Sequence, residues 1–366
     1  MLWSGSLTLN IIHAMLCSNP LHNLSWRVDG SVTPCNNLSN WPKFFSVDSM
    51  RTSTCYQKLV HDNQNGIQSS YCVRCWDKES LNLNSKRLSD NQQHQIYHKI
   101  DNNYLKIDAA IGSTCNAACR ICGPDSSSLW QYENKKFLDI PLIPKATMDL
   151  WQTIDQNQLH ILQLDFGGGE PWLNDVDQQI GLLTRLRDSG QARFVKLRYN
   201  TNGSVYPKKL IDLLQNFREV EITLSIDDTD NRFEYNRYPL KWSRVKRNLE
   251  KLQTLAQTYS NIVLGINYSV SVFSFLYTDE FTGWAQKNKF DRINWNIVNS
   301  PSIYSIKFMP PKAKDNLDKS NMFYNLVSQT PLADWQDKFD LTTKKLDAQR
   351  KQNFARTFPE LVAILK

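Results

Sequence analysis

The chain has 366 residues, of which 41% are apolar and 22% charged, with a formal net charge of +7 and a mean hydropathy of −0.50. These values exclude a disordered chain or a fibre, and they leave room for one large domain or two modest ones. No stretch is long and apolar enough to read as a membrane span. The mild basic excess is read as solubility, so neither a membrane nor a nucleic acid is an expected partner. Eight cysteines are too few for a disulfide scaffold at this length. Their placement is informative: positions 17, 35, 55, 72, 75, 115, 119 and 122, with none afterwards.

Leu7–Cys17 is apolar but carries Asn10 and His13, and no basic residue precedes it. That is not a signal peptide, so a buried first strand or helix and a reducing cytoplasm are expected. Residues 1–100 are rich in Asn, Ser and Cys with little periodic order, and Leu81–His98 reads as a polar linker. Asp29-Gly30 between alternating segments predicts a hairpin that brings Cys17 and Cys35 together. Cys72 and Cys75 form a knuckle-like pair.

Residues 101–300 alternate strand-like and helix-like segments. The predicted strands are Tyr104–Ala110, His160–Phe166, Phe194–Tyr199, Val220–Ile226, Ile262–Val270 and Ile293–Val298. Helices are expected at Asn174–Asp188, ended by Gly190, and at Lys241–Tyr259. Six such units imply an α/β fold with a parallel sheet, as a partial (β/α)6 TIM-like barrel. Residues 301–366 read as a basic helical extension.

Cys115-Asn-Ala-Ala-Cys119-Arg-Ile-Cys122 directly follows the first of these strands. Three thiolates on one short loop suit a four-iron cluster with one iron left open, or a zinc site that borrows a fourth ligand. Asp165-Phe-Gly-Gly-Gly-Glu170-Pro171, Asn200-Thr-Asn-Gly203 and Ser225-Ile-Asp227-Asp228 close the next three strands. In a parallel barrel those strand ends share one rim, where barrel active sites are built.

The CxxxCxxC pattern resembles that of radical S-adenosylmethionine enzymes, over roughly residues 104–300. The resemblance implies that Cys115, Cys119 and Cys122 hold a [4Fe–4S] cluster whose open iron binds S-adenosylmethionine. Reductive cleavage of the cofactor then gives a 5′-deoxyadenosyl radical that abstracts a substrate hydrogen. It further implies that Gly168, Gly169 and Glu170 meet the methionine ammonium. Asn200, Ser225 and Asp227 would lie near the cofactor, and Arg237, of an ExxR-like stretch, is read as a partner of its carboxylate or as a surface salt bridge. Ile121 stands where the family usually has an aromatic residue.

Cys17, Cys35, Cys72 and Cys75, with the Asp29-Gly30 hairpin, resemble a twitch domain, a short relative of the SPASM auxiliary-cluster module. That reading divides the chain into an auxiliary-cluster domain at 1–100, a barrel at 101–300 and a helical extension at 301–366. It implies an auxiliary [4Fe–4S] cluster, with zinc as the alternative. It also implies a peptide or protein substrate, with a nucleoside or sugar as the alternative, and a flavodoxin- or ferredoxin-type electron donor. Cys55 is read as a small buried apolar residue, or else as a fifth ligand or thiol hydrogen donor. The competing class is a zinc-stabilised RNA-binding protein without chemistry.

Overall fold

The computed structural model describes residues 17–138, 150–290 and 292–365. Apart from Cys17, the apolar stretch at Leu7–Cys17 lies outside them. In chain order come β1 (Asn23–Trp26), β2 (Val32–Thr33), α1 (Thr54–Gln64), α2 (Val73–Glu79), α3 (Lys86–Ile100) and β3 (Leu105–Ala110). Next are α4 (Ser128–Leu138), β4 (Ile161–Gly167), α5 (Val176–Asp188), β5 (Lys196–Thr201) and β6 (Glu219–Ser225). The last are α6 (Asp230–Asn236), α7 (Trp242–Thr258), β7 (Ile262–Val270), α8 (Thr278–Lys287), β8 (Arg292–Ile297) and α9 (Trp335–Arg350). All six expected strands are present with ends shifted by at most two residues, and the class is mixed α/β with mostly parallel pairing.

Two compact units result. The first joins Met1–Ser113, Pro144–Tyr199 and Lys209–Val220; the second joins Thr114–Ile143, Asn200–Lys208 and Glu221–Lys366. In the first unit the expected hairpin forms: β1 pairs antiparallel with β2 through Ser25↔Thr33 and Trp26↔Val32. Gly30 takes φ +82° in its turn, a conformation that costs glycine little. The same β1 also pairs parallel with β3, followed by β4 and β5. The Cys-rich segment therefore shares a sheet with β3, β4 and β5.

Leu81–His98 is not a linker. Residues 86–100 form α3, capped by the Ser85 hydroxyl, which accepts from the Leu88 N–H. The polar composition hid it, because α3 faces charged and aromatic partners as well as apolar ones. Tyr97 is fully buried with Tyr104 and Leu162, and its hydroxyl donates to Gln163 at 3.0 Å. His94 has Nδ1 2.9 Å from the Tyr104 hydroxyl and packs beside His22.

The second unit carries β7 and β8 in parallel, with the larger part of β6 next to β7. Helix α7 buries Val245, Leu249 and Leu252 along one stripe. Gly203 approaches this helix so closely that a Cβ would stand 3.2 Å from Val245 Cγ1.

The β1–β2 turn has a charge lock. Asp29 Oδ1 accepts from the Ser31 N–H (3.0 Å) and hydroxyl (2.7 Å), while Oδ2 pairs with Lys43 Nζ at 2.7 Å. Partial burial opposes ionisation, but Lys43 and Ser31 overcome it and hold the carboxyl down at about 2. A depressed carboxyl stabilises the fold above its unfolded value of about 4 and loses that contribution as pH falls towards its folded value. Urea unfolding of wild type should therefore weaken between those limits. Asp29→Asn should lose about 1 kcal/mol or less at neutral pH and show a shallower acid decline.

Candidate functional site

In the second unit the Cys115–Cys122 loop is held mainly by its backbone. Ala118 N–H donates to the Tyr238 carbonyl at 2.6 Å, and Arg120 N–H to that of Asn236 at 2.8 Å. The Trp130 indole donates to the Cys119 carbonyl at 2.7 Å, and the Ser127 hydroxyl to that of Ala117 at 2.6 Å. Asn116 bonds Asn202 (3.0 Å) and Ser204 (2.8 Å), which ties the loop to the Asn200-Thr-Asn-Gly203 turn. Cys119 is buried, and Cys115 and Cys122 are half-buried. Burial pushes the Cys119 and Cys122 thiols up, Cys122 to about 12 with Cys119 adding to its rise.

Arg237 faces this loop. Its NH1 lies 3.9 Å from Cys119 Sγ, and NH2 pairs with Asp227 at 2.7 Å. Asp227 also accepts from the Ser269 N–H at 2.8 Å. Arg237 is 6% exposed, so it is not a surface salt bridge. Its Nε is buried without a hydrogen-bond partner among the described residues. Cys119, Arg237 and Asp227 are thus brought together as a thiol, a guanidinium and a carboxylate. Asn200 is exposed and accepts from Asn267 at 2.6 Å. Ser225 ends β6, half-buried, two residues before Asp227.

Arg120 was not singled out by sequence reasoning, and the structure gives it a large role. It is fully buried, its guanidinium lies 3.9 Å above the Tyr235 ring, and NH2 bonds Asp347 and Gln352. The available signal was a charged residue within a Cys loop. Its hydrogen-bond partners Asp347 and Gln352, more than 200 residues further on, had none.

In the first unit, Gly168 and Gly169 adopt φ of +81° and +51°. A Cβ on Gly168 would stand 2.9 Å from the Gly112 carbonyl oxygen and 3.0 Å from Ala110 Cα, both backbone atoms that cannot give way. Glu170 is fully buried, and Oε1 accepts from the Trp172 N–H at 3.1 Å, capping the short turn 171–173. Asn174 donates to the Glu170 carbonyl at 2.8 Å.

The same unit gathers the other four cysteines. Burial pushes Cys17 up to about 12, with Cys72 and Cys75 adding to it, and pushes Cys72 up to about 12, with Cys35 and Cys75 adding to it. Asn37 spans two of them: its N–H reaches Cys35 Sγ at 3.4 Å and its side-chain amide Cys75 Sγ at 3.3 Å. Asn19 adds a contact to Cys35 Sγ at 3.8 Å. Cys55 lies apart at the start of α1, half-buried rather than buried, with Sγ 3.2 Å from the Ser53 hydroxyl.

Among the described residues, no three His, Cys, Asp or Glu side chains already stand in metal-ligand geometry. The donor chemistry nonetheless fits a cationic centre at both places. Crowded, buried thiols ionise only with difficulty, and a bound metal supplies the missing positive charge.

No family model matches the chain, and no curated protein matches it. Solved structures do. A structure described as native anSMEcpe with bound AdoMet is 19% identical over 52% of this chain and 50% of that one, with a TM-score of 0.40. Streptococcus suis SuiB is 16% identical over 82% of this chain and 66% of that one, with a TM-score of 0.40. TsrM from Kitasatospora setae, described as a radical S-adenosylmethionine methyltransferase, is 11% identical over 41% of this chain and 29% of that one, at 0.28. The chain spans about half the length of the anSMEcpe structures it matches.

Two stability predictions follow from this geometry. Arg237→Ala leaves Asp227 buried and unpaired and should cost about 3–5 kcal/mol in urea unfolding. The pair Asp227→Asn with Arg237→Gln, which leaves no lone charge, should recover part of that loss. Gly168→Ala, forced into both a positive φ and backbone overlap, should cost about 1–3 kcal/mol or more.

Proposed function

We propose that the chain is a radical S-adenosylmethionine enzyme that abstracts a hydrogen atom from a peptide or protein side chain. The observation that carries this reading is the Cys115–Cys119–Cys122 loop, pinned by its backbone and faced by the buried Arg237–Asp227 pair. Three thiolates would hold a four-iron cluster and leave one iron for the cofactor. When bound, that pairing supplies an electron to the sulfonium and so a carbon radical that takes the substrate hydrogen.

The residues of the chain have distinct tasks in this reading. Arg237 places a positive charge beside Cys119, which favours the thiolate needed for ligation. Asp227 holds the guanidinium in place and balances its charge. Gly168 and Gly169 present backbone without side chains, which admits a ligand to close approach. Glu170 caps the turn at 171–173 through one carboxylate oxygen, and its negative charge would suit an ammonium. Cys17, Cys35, Cys72 and Cys75 are the ligands of an auxiliary cluster, whose resemblance to a twitch module is the basis for the peptide assignment. A flavodoxin- or ferredoxin-type protein would supply the electron, in a reducing cytoplasm.

Anaerobic reconstitution tests this reading. About eight irons per chain, four for each cluster, and 5′-deoxyadenosine on adding reductant and S-adenosylmethionine are the expected results. Replacing Cys115, Cys119 and Cys122 with Ala should abolish that product and leave about four irons. One or two zincs with no cofactor cleavage would overturn the enzyme reading. About four irons in wild type, all lost with the triplet, would remove the auxiliary cluster.

A further inference from the structure

Three histidines gather where β1 and β3 begin. His22 directly precedes β1, and Tyr104 directly precedes β3, the parallel strand beside it. Helix α3 packs here and carries His94 and His98 one turn apart. The rings stand in a row. His22 and His94 have centroids 5.1 Å apart, and His94 and His98 have theirs 5.4 Å apart. His22 also stacks on Tyr104 at 4.4 Å. All four residues belong to the first unit. They lie at the starts of its parallel strands, whereas Gly168 and Glu170 follow the end of β4. The cluster is therefore separate from the Gly-Gly-Gly-Glu segment.

Hydrogen bonds decide which ring nitrogens are available. His22 Nδ1 lies 3.2 Å from the Tyr104 carbonyl oxygen, which only accepts. Nδ1 is therefore the N–H, and Nε2 of the neutral ring carries the lone pair. His94 Nδ1 lies 2.9 Å from the Tyr104 hydroxyl, and donating to it leaves the lone pair on Nε2 there too. One residue, Tyr104, thus orients two imidazoles. An outer partner on one ring nitrogen is how proteins prepare the other for a metal. Burial lowers both His22 and His94, and the neighbouring imidazoles add to the fall, so both rings are neutral at pH 7. Asp101, bonded to His160 at 2.7 Å just before β4, brings a carboxylate to the same strand ends. The Lys106 ammonium is already paired with Asp90 at 2.5 Å.

We propose that His22, His94 and His98 bind one divalent transition-metal ion through Nε2, with zinc as the reference ion and water in the fourth position. Imidazole suits zinc, copper and nickel. A zinc–nitrogen bond of about 2.1 Å places two imidazole centroids on one tetrahedral ion about 5 Å apart. The observed separations match that distance. Histidines at i and i+4 share a helix face, the spacing by which helical zinc sites take two of their ligands. The three rings do not already converge on one point. His98 is exposed, however, and its ring makes no hydrogen bond among the described residues, so rotation of its side chain completes the set. His22 and His94 are half-buried, so the ion arrives from solvent without opening the fold. The metal fastens α3 to the start of β1, two elements far apart in sequence.

This inference is independent of the function proposed above. Zinc alone tests it, on the full chain dialysed against a fixed free-zinc concentration and assayed by elemental analysis. Wild type should hold about one zinc per chain more than the double variant His94→Gln with His98→Gln, whether the cysteines carry iron or zinc. His22→Gln should weaken that uptake about tenfold or more. In metal-free buffer the variants should melt with wild type, and added zinc should raise the Tm of wild type further than theirs. If the double variant does not fold, His98→Gln, at an exposed position, decides in its place. Equal zinc in wild type and variant overturns the proposal. So does uptake that His22→Gln leaves unchanged, because a helical pair alone would hold an adventitious ion only. Formation of 5′-deoxyadenosine bears on the enzyme reading and leaves this result untouched.

Discussion

Side chains on a strand alternate between faces, and in the first unit this alternation separates apolar from charged residues. Ile107, Ala109, Leu164, Phe166, Leu197 and Tyr199 take one face and are buried. Each fully buried large apolar side chain contributes about 1.5–3 kcal/mol. Lys106, Asp108, Gln163, Asp165 and Lys196 take the other and are equally buried. Charges taken out of water cost several kcal/mol each unless they find partners. That cost explains the density of ion pairs there: Lys106 with Asp90, Lys196 with Glu219, Arg198 with Asp165. A central sheet normally reads as continuously apolar; here one face is charged, and its charges are paired.

The second unit solves a different problem. A loop carrying three thiols has no regular ladder to fix it, so its carbonyls and N–H groups are satisfied one at a time. Two of those bonds go to the carbonyls of Asn236, the last residue of α6, and Tyr238, just beyond it, and one comes from the indole of Trp130 on α4. The Arg120 side chain then extends from the loop to Asp347 and Gln352, with Tyr235 bonded to the same carboxylate at 2.8 Å. The C-terminal helical segment, which the sequence presents only as a basic tail, is therefore part of the scaffold of the Cys loop.

The parallel strands were legible because each pairs a short β-branched or apolar run with a turn signal, as in Ile262–Val270. The candidate site residues were legible because Cys spacing and Gly-Gly-Gly-Glu are rare patterns tied to backbone demands. Where sequence reasoning missed, it missed long-range pairing. Arg237 offered no sign that Asp227, ten residues earlier, would be buried against it. Asp165 reads only as the start of a motif, since nothing in a one-dimensional string says which strand residue stands opposite. Helix α3 was passed over because its inward residues include Lys86, Arg87 and Asp90, which a hydropathy pattern counts as exposed.

That first turn of α3 has a further consequence. Ser85 and Arg87 grip Glu79 at the end of α2, the helix that carries Cys75. Lys86 and Asp90 turn instead towards Asp108 and Lys106 of β3. Neighbouring residues on a helix differ by about 100° in direction, so one turn can serve two sets of partners only at a single angular phase. An extra residue after Arg87 would swing Asp90 by about 100° away from Lys106 and Lys86. The spacing from Arg87 to Asp90 is therefore as constrained as the spacing of the cysteines, although no ligand imposes it.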